Sequence, residues 1–256
     1  MDDRVILLAA GEMTRWQNYL NVPKHLVEIE GEPLLHRLIR QSLQHGITDI
    51  LVATQHECKL PEPATRIFFD TSIKDQYSSK FLSTRASWAK NARTFLIFGD
   101  TWLSETGFNA IMTPIANGIC FVGRKKNGSY TGCPHGEIFG VSFAPSHHQR
   151  IFAAAKKSDQ DKGKHPSAGW ALYYHLTSEL AANKSTEIIF VDIDDFSEDF
   201  DFPHDYDRWQ KRAGNLPYTA VPEDQNLTLF KQKQRRKKLL LAVVCFSLGI
   251  IIGQMM

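Results

Sequence analysis

The feature that most constrains the fold is a short apolar run that recurs along the chain. The first run, residues 5–10 (VILLAA), ends at Gly11, and similar runs occupy residues 94–98 (TFLIF) and 188–191 (IIFV). Such runs are typical of strands buried on both faces, and the glycine allows a sharp turn after the first. Because helical patterns lie between them, the sequence predicts an α/β fold with a largely parallel sheet and helices on both faces.

The other elements are predicted from the same patterns. Further strands are expected at residues 50–53, 66–69, 118–123 and 137–143. Helices are expected at residues 77–90, 145–157, 168–180 and 206–212, with a loop or mobile lid at residues 158–167.

Charged residues follow two of the predicted strands. Arg15 and Lys24 come after the Gly11 turn, and Asp100 comes after the run at residues 94–98. Ligands of open α/β sheets bind beyond the carboxyl ends of the strands, so cations placed there indicate an anionic ligand. The alternatives are a solvated loop around the cations and a turn cap at Asp100.

The opening stretch resembles the signature of the nucleotidyltransferase family, the enzymes that make nucleoside-diphosphate sugars and related activated alcohols. In that family the first strand ends in L-A-A-G-x-G-x-R, and P-K follows a short distance later. The matching residues here are Leu8, Ala9, Ala10, Gly11, Thr14, Arg15, Pro23 and Lys24. The resemblance continues closely over about the first 55 residues, through Gly31, Pro33 and Leu34.

This resemblance implies a three-layer, Rossmann-like nucleotidyltransferase fold with a mainly parallel mixed sheet. It also implies transfer of a nucleoside monophosphate from a nucleoside triphosphate to a sugar phosphate or a phosphocholine-like alcohol phosphate, with release of pyrophosphate. Arg15 and Lys24 would be catalytic. The implied nucleotide-binding residues are Leu8, Ala9, Ala10, Gly11, Thr14, Arg15 and Lys24.

The same resemblance implies a Mg²⁺ site. Asp100 corresponds to the family's first carboxylate ligand, and a second ligand would come from a later strand that continues into D-x-D-T-P-E-D-[LF]. Residues 192–200 resemble this pattern with one extra residue, so Asp192 and Asp194 are both candidate ligands. The remaining acids of this stretch are expected to form a solvated loop; they are Asp195, Glu198, Asp199 and Asp201.

Two alternatives from other classes remain open at this point. A membrane-bound glycosyltransferase would also use a strand-end D-x-D, but it has less need of Arg15 and Lys24. A non-catalytic nucleotide-binding scaffold is the other alternative, because Met13 stands where many family members have a second glycine. The basic residues 124–126 fit either an acceptor phosphate or a solvated hairpin tip, and the tip is favoured.

Charge and composition limit the partners. The 256-residue chain has a formal net charge of +2, yet residues 231–238 (KQKQRRKK) alone contain six cations. The rest of the chain is therefore slightly acidic, which argues against a nucleic-acid partner. The four cysteines show no paired spacing, which is typical of a reduced, cytoplasmic domain.

The C-terminal segment, residues 239–256, is uncharged and would reach roughly 27 Å as a helix. We therefore expect three parts: a catalytic domain at residues 1–212, a linker with a basic end at 213–238, and a single transmembrane helix at 239–256. The preceding cations place the domain on the cytoplasmic side. A G-x-x-x-G step at Gly249 and Gly253 could pair two copies as a homodimer. Anchoring suggests that the product feeds nucleotide-sugar-dependent assembly of surface polysaccharide or lipid.

Overall fold

A mixed, mostly parallel β-sheet with helices on both faces forms the centre of this computed structural model. The structure describes residues 3–11, 14–69, 79–113, 118–125, 136–161, 163–180 and 187–213. The strands are β1 Arg4–Leu8, β2 Glu28–Ile29, β3 Glu32–Pro33, β4 Asp49–Ala53, β5 Thr65–Ile67, β6 Thr94–Phe98, β7 Thr101–Trp102, β8 Ile119–Arg124, β9 Glu137–Phe143, β10 Ile188–Asp192 and β11 Glu198–Asp199. The helices are α1 Leu34–Gln44, α2 Ser79–Leu82, α3 Glu105–Met112, α4 His148–Gln160, α5 Ala168–Leu180 and α6 Pro203–Ala213.

Seven strands make up the main sheet, in the order β10-β8-β9-β6-β1-β4-β5. β1 is parallel to both of its neighbours, β4 and β6, whereas β9 runs antiparallel between β6 and β8. The predicted mainly parallel mixed sheet is therefore confirmed. Leu8 is in register with Phe98, so the segments that follow β1 and β6 leave the sheet at the same edge.

Alternate residues of the strands pack into two separate cores. Val5 and Leu7 lie in one core with α1 and α3, whereas Ile6 and Leu8 lie in the other with α4 and α5. Because β1 is buried on both faces, the continuous apolar run correctly predicted a strand of this kind. This arrangement is the predicted three-layer architecture.

The predicted helix at residues 77–90 is much shorter in the structure. Within the described part of that segment, α2 spans only Ser79–Leu82, and a separate 3₁₀ turn follows at Arg85–Ser87. The hydroxyl of Thr84 donates to the carbonyl of Phe81 at 3.1 Å and accepts from Trp88 Nε1 at 3.3 Å. Such side-chain bonds to the backbone compete with the helical pattern and end the helix.

A third, smaller core fixes the segment between the two predicted cations. Trp16 is fully buried, and it shares this core with Phe200 and Trp209 from the chain's last described segments. The antiparallel pair β7–β11 brings Asp199 opposite Thr101, one residue after Asp100. Residues 196–209 therefore pack against the loop that carries Arg15 and Lys24.

All described residues belong to one compact unit, residues 1–218. Within the described residues, no helix is long and apolar enough to cross a membrane. The predicted linker from residue 214 onward and the predicted transmembrane helix at residues 239–256 lie outside the described residues, as do Met13, Gly249 and Gly253, whereas Ala213 is the last residue of α6. The predicted domain boundaries stay predictions.

Candidate active site

The two predicted cations meet two carboxylates at the carboxyl edge of the sheet. Lys24 Nζ forms an ion pair with Asp100 Oδ2 and lies 3.2 Å from Asp201 Oδ1. Arg15 Nη1 lies 2.6 Å from the other oxygen, Asp201 Oδ2. Asp201 therefore bridges Arg15 and Lys24, and Lys24 lies between Asp100 and Asp201. With Asp199, these residues are called the charged site below.

Local structure explains how Lys24 reaches this position. Pro23 precedes a single 3₁₀ turn at Lys24–Leu26, whose first hydrogen bond runs from Leu26 N to the Pro23 carbonyl at 2.8 Å. The side chain of Trp16 donates from Nε1 to the Val22 carbonyl at 3.0 Å and so closes the loop before the proline. Arg15 and Lys24 thus lie close enough to share the carboxylate of Asp201, and their binding of an anionic ligand stays a prediction.

The loop between the two cations adopts backbone conformations that L-residues rarely take. Gln17, Asn18, Leu20 and Asn21 all have φ between 54° and 58°. Asparagine tolerates this left-handed region, but glutamine and leucine adopt it at a cost in free energy. Packing of Trp16 in the third core holds the loop in this form.

Asp100 lies where the sequence placed it. Gly99 N donates to the Leu8 carbonyl at 3.0 Å, which positions Asp100 beside the carboxyl end of β1. Gly99 has little room for a side chain, since a Cβ there would lie 3.0 Å from Ala9 Cβ. Burial alone would raise the pKa of Asp100, but the charges of Lys24 and Lys80 outweigh it and lower the pKa below its usual range.

Lys24 stays charged because its carboxylate partners outweigh the effect of burial. Its side chain is buried, which alone would lower the pKa of the amine. The charges of Asp100 and Asp201 outweigh this desolvation and raise the pKa above its usual value. Lys24 therefore stays protonated at neutral pH and can act as a fixed cation.

The acidic cluster contains one carboxyl that is short of positive charge. Burial raises the pKa of Asp199 well above its usual range, and the nearby charges of Glu137, Asp201 and Asp100 raise it further. Glu137 begins β9, which is antiparallel to β6 and therefore starts at the edge where Asp100 lies. With Glu198, five acidic side chains thus interact electrostatically in this part of the described structure.

A helix terminus fixes the position of Asp201. The carboxylate of Asp205, in the first turn of α6, accepts from the backbone N–H groups of Asp201 and Phe202 at 3.1 and 2.8 Å. The ring of Phe202 lies 5.4 Å from the Arg15 guanidinium carbon, in a cation–π contact. Burial raises the pKa of Asp205 to about 7, although its two backbone hydrogen bonds act in the opposite direction.

The two other predicted metal ligands lie elsewhere on the sheet. Asp192 and Asp194 are exposed, and Asp192 Oδ1 accepts from the Lys125 backbone N–H at 2.8 Å. Asp192 ends β10, which is three strands away from β6, or about 14 Å at ordinary strand spacing. The structure brings Asp199 and Asp201 to Asp100, and it does not bring Asp192 there.

The sequence contained a signal for these missed residues. A D-x-D pair occurs a second time at residues 199–201, and there it continues with the family's spacing to a proline and a further aspartate, as Asp199, Asp201, Pro203 and Asp205, without the extra residue. This stretch was expected to be a solvated acidic loop. It is instead packed through Phe200, which is fully buried in the third core.

The remaining predicted nucleotide-binding residues occupy the same sheet edge. Leu8, Ala9 and Ala10 are buried at the end of β1, whereas Gly11 and Thr14 are exposed just beyond it. Their contact with a nucleotide stays a prediction. Lys80 is an additional cation, and burial followed by the charge of Lys24 lowers its pKa. Its Nζ lies 4.4 Å from the centre of the Phe98 ring.

Comparison with known proteins identifies the class of protein that this fold and site define. Residues 5–163 match the model of the MobA-like NTP transferase domain. The chain belongs to this family and is a nucleotidyltransferase, which favours this interpretation over a glycosyltransferase. The match includes Arg15, Lys24 and Asp100, whereas Asp199 and Asp201 lie beyond its end.

Solved structures with the same fold are distant in sequence. CTP:phosphocholine cytidylyltransferase from Streptococcus pneumoniae has a TM-score of 0.55 at 15% identity, and the alignment covers 83% of this chain and 100% of that chain. UDP-glucose pyrophosphorylase from Acinetobacter baumanii has a TM-score of 0.55 at 10% identity, with 93% and 100% covered. The inositol-1-phosphate CTP transferase from T. maritima has a TM-score of 0.52 at 12% identity, with 85% and 98% covered. A search of curated protein sequences finds no match.

Proposed function

We propose that this nucleotidyltransferase moves a nucleoside monophosphate from a nucleoside triphosphate to a phosphate monoester, either a sugar phosphate or an alcohol phosphate. An oxygen of the acceptor phosphate attacks the α-phosphorus, the bond between the α-phosphorus and its bridging oxygen to the β-phosphorus breaks, and pyrophosphate leaves. The observation that carries the proposal is the convergence of Lys24 and Arg15 with three aspartates at the carboxyl edge of the sheet.

In this proposal the chain's own residues act by position and charge. The acceptor phosphate is already an anion at neutral pH, so no general base is required. Lys24 is buried and stays protonated, and it would stabilise charge that develops on the α-phosphate. Arg15 is more exposed and would bind the β- and γ-phosphates through paired hydrogen bonds.

The donor set around Lys24 fits a divalent cation. Mg²⁺ prefers carboxylate oxygens, and Asp100, Asp199 and Asp201 each bring a carboxyl group to this edge of the sheet. Asp199 in particular interacts with four other acidic groups, and these raise its pKa after burial does. We propose that Asp100 with Asp199 or Asp201 would hold Mg²⁺, which would draw negative charge from the phosphates when bound. Asp192 and Asp194 are less suited because of their place on β10 and the loop after it.

The acceptor class rests on similarity of fold. The similar structures act, by their names, on phosphocholine, UDP-glucose and inositol 1-phosphate. We therefore propose an acceptor among sugar 1-phosphates and small alcohol phosphates. We also propose that residues 239–256 anchor the protein as a single-pass membrane protein with its catalytic domain in the cytoplasm. The anchored product would then supply membrane-side assembly of polysaccharide or lipid.

The test is pyrophosphate release by the purified full-length chain. Each of the four nucleoside triphosphates is combined with glucose 1-phosphate, phosphocholine and inositol 1-phosphate, with and without Mg²⁺. For the productive pair, Lys24→Ala should lower the rate by about 10²–10³-fold, since a fixed donor to transition-state charge is lost. The matched control is Lys90→Ala, an exposed lysine shortly before the amino end of β6, which should keep the wild-type rate.

Thermal melting separates loss of chemistry from loss of fold. Asp100→Asn is a second variant that keeps the shape of the side chain, and it should also be nearly inactive. Wild-type pyrophosphate release from a folded Lys24→Ala protein would overturn the proposed role of the charged site. If the wild-type protein released no pyrophosphate with any pair of nucleoside triphosphate and acceptor, the scaffold alternative that Met13 suggested would be favoured.

A further inference from the structure

A second group of metal-binding side chains lies on the helical layer, away from the charged site. Asp161 follows the end of α4, His165 lies in the connecting loop, and His175 lies on α5. One possible ligand atom from each residue lies within 4.8 Å of the other two. The three residues belong to the segment expected to be a loop or lid and to the helix that follows it.

The contact between Asp161 and His175 already has the separation of two ligands on one ion. His175 Nε2 lies 3.2 Å from Asp161 Oδ2. Two ligand atoms that each bind zinc at about 2.0–2.1 Å in a tetrahedral arrangement are about 3.3 Å apart. The Nε2 atom is buried, and it makes no hydrogen bond within the described part of the chain. Among the described residues, the Nε2 atom therefore has no better partner for its lone pair or its proton than the other two residues of this group.

The third ligand needs only a local adjustment. His165 lies in the loop between the two helices, and the centre of its ring is 5.9 Å from that of His175. Asp161 is oriented by Lys164, whose Nζ binds the other carboxylate oxygen, Oδ1. Lys164 is 70% exposed, so it can stay in place while Oδ2 faces the two imidazoles. A partner of this kind is what usually orients a carboxylate ligand.

We infer that Asp161, His165 and His175 form a binding site for one divalent transition-metal ion of the zinc class. Two imidazoles and one carboxylate are the ligands that such ions prefer, and Mg²⁺ rarely takes imidazole. Three protein ligands leave a fourth position for water. The bound ion would join the end of α4 to α5 through the loop between them, on the helical layer that covers the second core. The inference does not depend on the proposed function.

Zinc titration of the full-length protein, stripped of metal and kept in mild detergent, tests this site. Competition against a chromophoric chelator should show one equivalent of Zn²⁺ that disappears or weakens in His175→Ala and in His165→Gln. Loss of a residue that merely orients a ligand costs 10–100-fold in affinity, so loss of a ligand should weaken binding by at least about 100-fold. His45→Ala, an exposed histidine at the end of α1, is the matched control and should bind as the wild type does.

Two further measurements test whether these residues bind the ion. The imidazole NMR signals that the two variants lose should be the ones that shift when zinc is added to the wild type. Zinc should also raise the melting temperature of the wild type and of His45→Ala, but not that of the two ligand variants. Unchanged zinc affinity in both ligand variants, or zinc-induced shifts confined to other groups, would overturn the site. Because His165 lies in a loop, His165→Gln keeps the test decisive if His175→Ala does not fold.

Discussion

At the scale of single residues, opposite charges offset one another in most of the charged site, but the negative charge of one acid is not offset in this way. Lys24 has Asp100 and Asp201 as partners, and Arg15 has Asp201. Asp199 faces mainly other acids, so its charged form is disfavoured in the folded protein. A side chain that lowers stability in this way is typical of a functional site, where the arrangement serves the ligand and not the fold.

Asp199→Asn should therefore stabilise the protein and impair its activity. The folded protein binds a proton at Asp199 more tightly than the unfolded chain does, so the wild type loses stability as the pH rises above the ordinary pKa of aspartate, about 4. Asparagine has no such proton. The variant should melt higher than the wild type at pH 7.5, and the difference should disappear near pH 4. Pyrophosphate release should fall in the same variant.

Two results would contradict this reading of Asp199. A variant that melts below the wild type at pH 7.5 would mean that the charged carboxylate is favourable in the fold. Unchanged pyrophosphate release would mean that Asp199 takes no part in binding the metal or the phosphates. Glu57→Gln, which lies in the loop after β4, provides a control for the loss of one negative charge.

The sequence predicted three of the five residues of the charged site. Arg15, Lys24 and Asp100 were identified because each directly follows a strand or a recognisable motif. Asp199 and Asp201 were missed because a D-x-D appears at residue 192, directly after a predicted strand, and again at residue 199, where Pro203 and Asp205 complete the family's spacing. The pairing of β11 with β7, which brings the second copy close to Asp100, joins segments far apart in the chain and is not visible in the sequence.

At the scale of elements, a buried ion pair holds the segment that carries the aspartates. Arg124 ends β8 and is 2% exposed, and its Nη1 lies 3.0 Å from Glu198 Oε2, which is fully buried. Its Nη2 also donates to the carbonyls of Asp195 and Ser197. The sequence favoured a solvated hairpin tip for Arg124, and that expectation was wrong, because the carboxylate and the two carbonyls that bind its guanidinium lie more than 70 residues later in the chain.

Breaking this pair should cost much more stability than breaking an exposed one. Glu198→Ala leaves a buried guanidinium without its carboxylate, which should lower the free energy of unfolding by about 3–5 kcal/mol. The matched control is Glu187→Ala at the exposed pair with Arg150, which should cost less than about 1 kcal/mol. Urea unfolding followed by tryptophan fluorescence measures both.

A double variant shows whether the pair itself is responsible. Replacing both partners, as Arg124→Met with Glu198→Leu, should recover much of the stability lost in Glu198→Ala, since no uncompensated charge stays buried. A cost below 1 kcal/mol for Glu198→Ala would show that β11 is held by other contacts, such as the third core.

At the scale of the whole molecule, the described residues form one α/β unit, and residues 231–238 carry six of the 30 lysines and arginines, which makes the formal net charge positive. The sequence predicted the three-layer architecture because buried parallel strands leave long apolar runs. It could not predict the antiparallel position of β9 between β6 and β8, since strand order depends on contacts between distant segments.

Removal of residues 239–256 tests the proposed anchor. These uncharged residues are long enough to nearly span a bilayer core of about 30 Å, so the truncated protein should move from the membrane fraction to the soluble fraction. Pyrophosphate release should persist, because the described charged site lies within residues 15–201. A control chain that carries an unrelated apolar helix of the same length should still sediment with membranes. A truncated protein that sediments like the wild type would show that another part of the chain binds the membrane.

The position of Asp201 between Arg15 and Lys24 also bears on how substrate affinity responds to salt. Both cations share a carboxylate of the chain itself, so in the proposed reaction an incoming phosphate would take the place of that internal anion. Binding is then an exchange of one anion for another, and few dissolved ions are displaced. Nucleotide affinity should consequently vary less with ionic strength than it would at a site with two exposed cations. The anion that competes with the phosphate is part of the chain, so its local concentration does not change with the buffer.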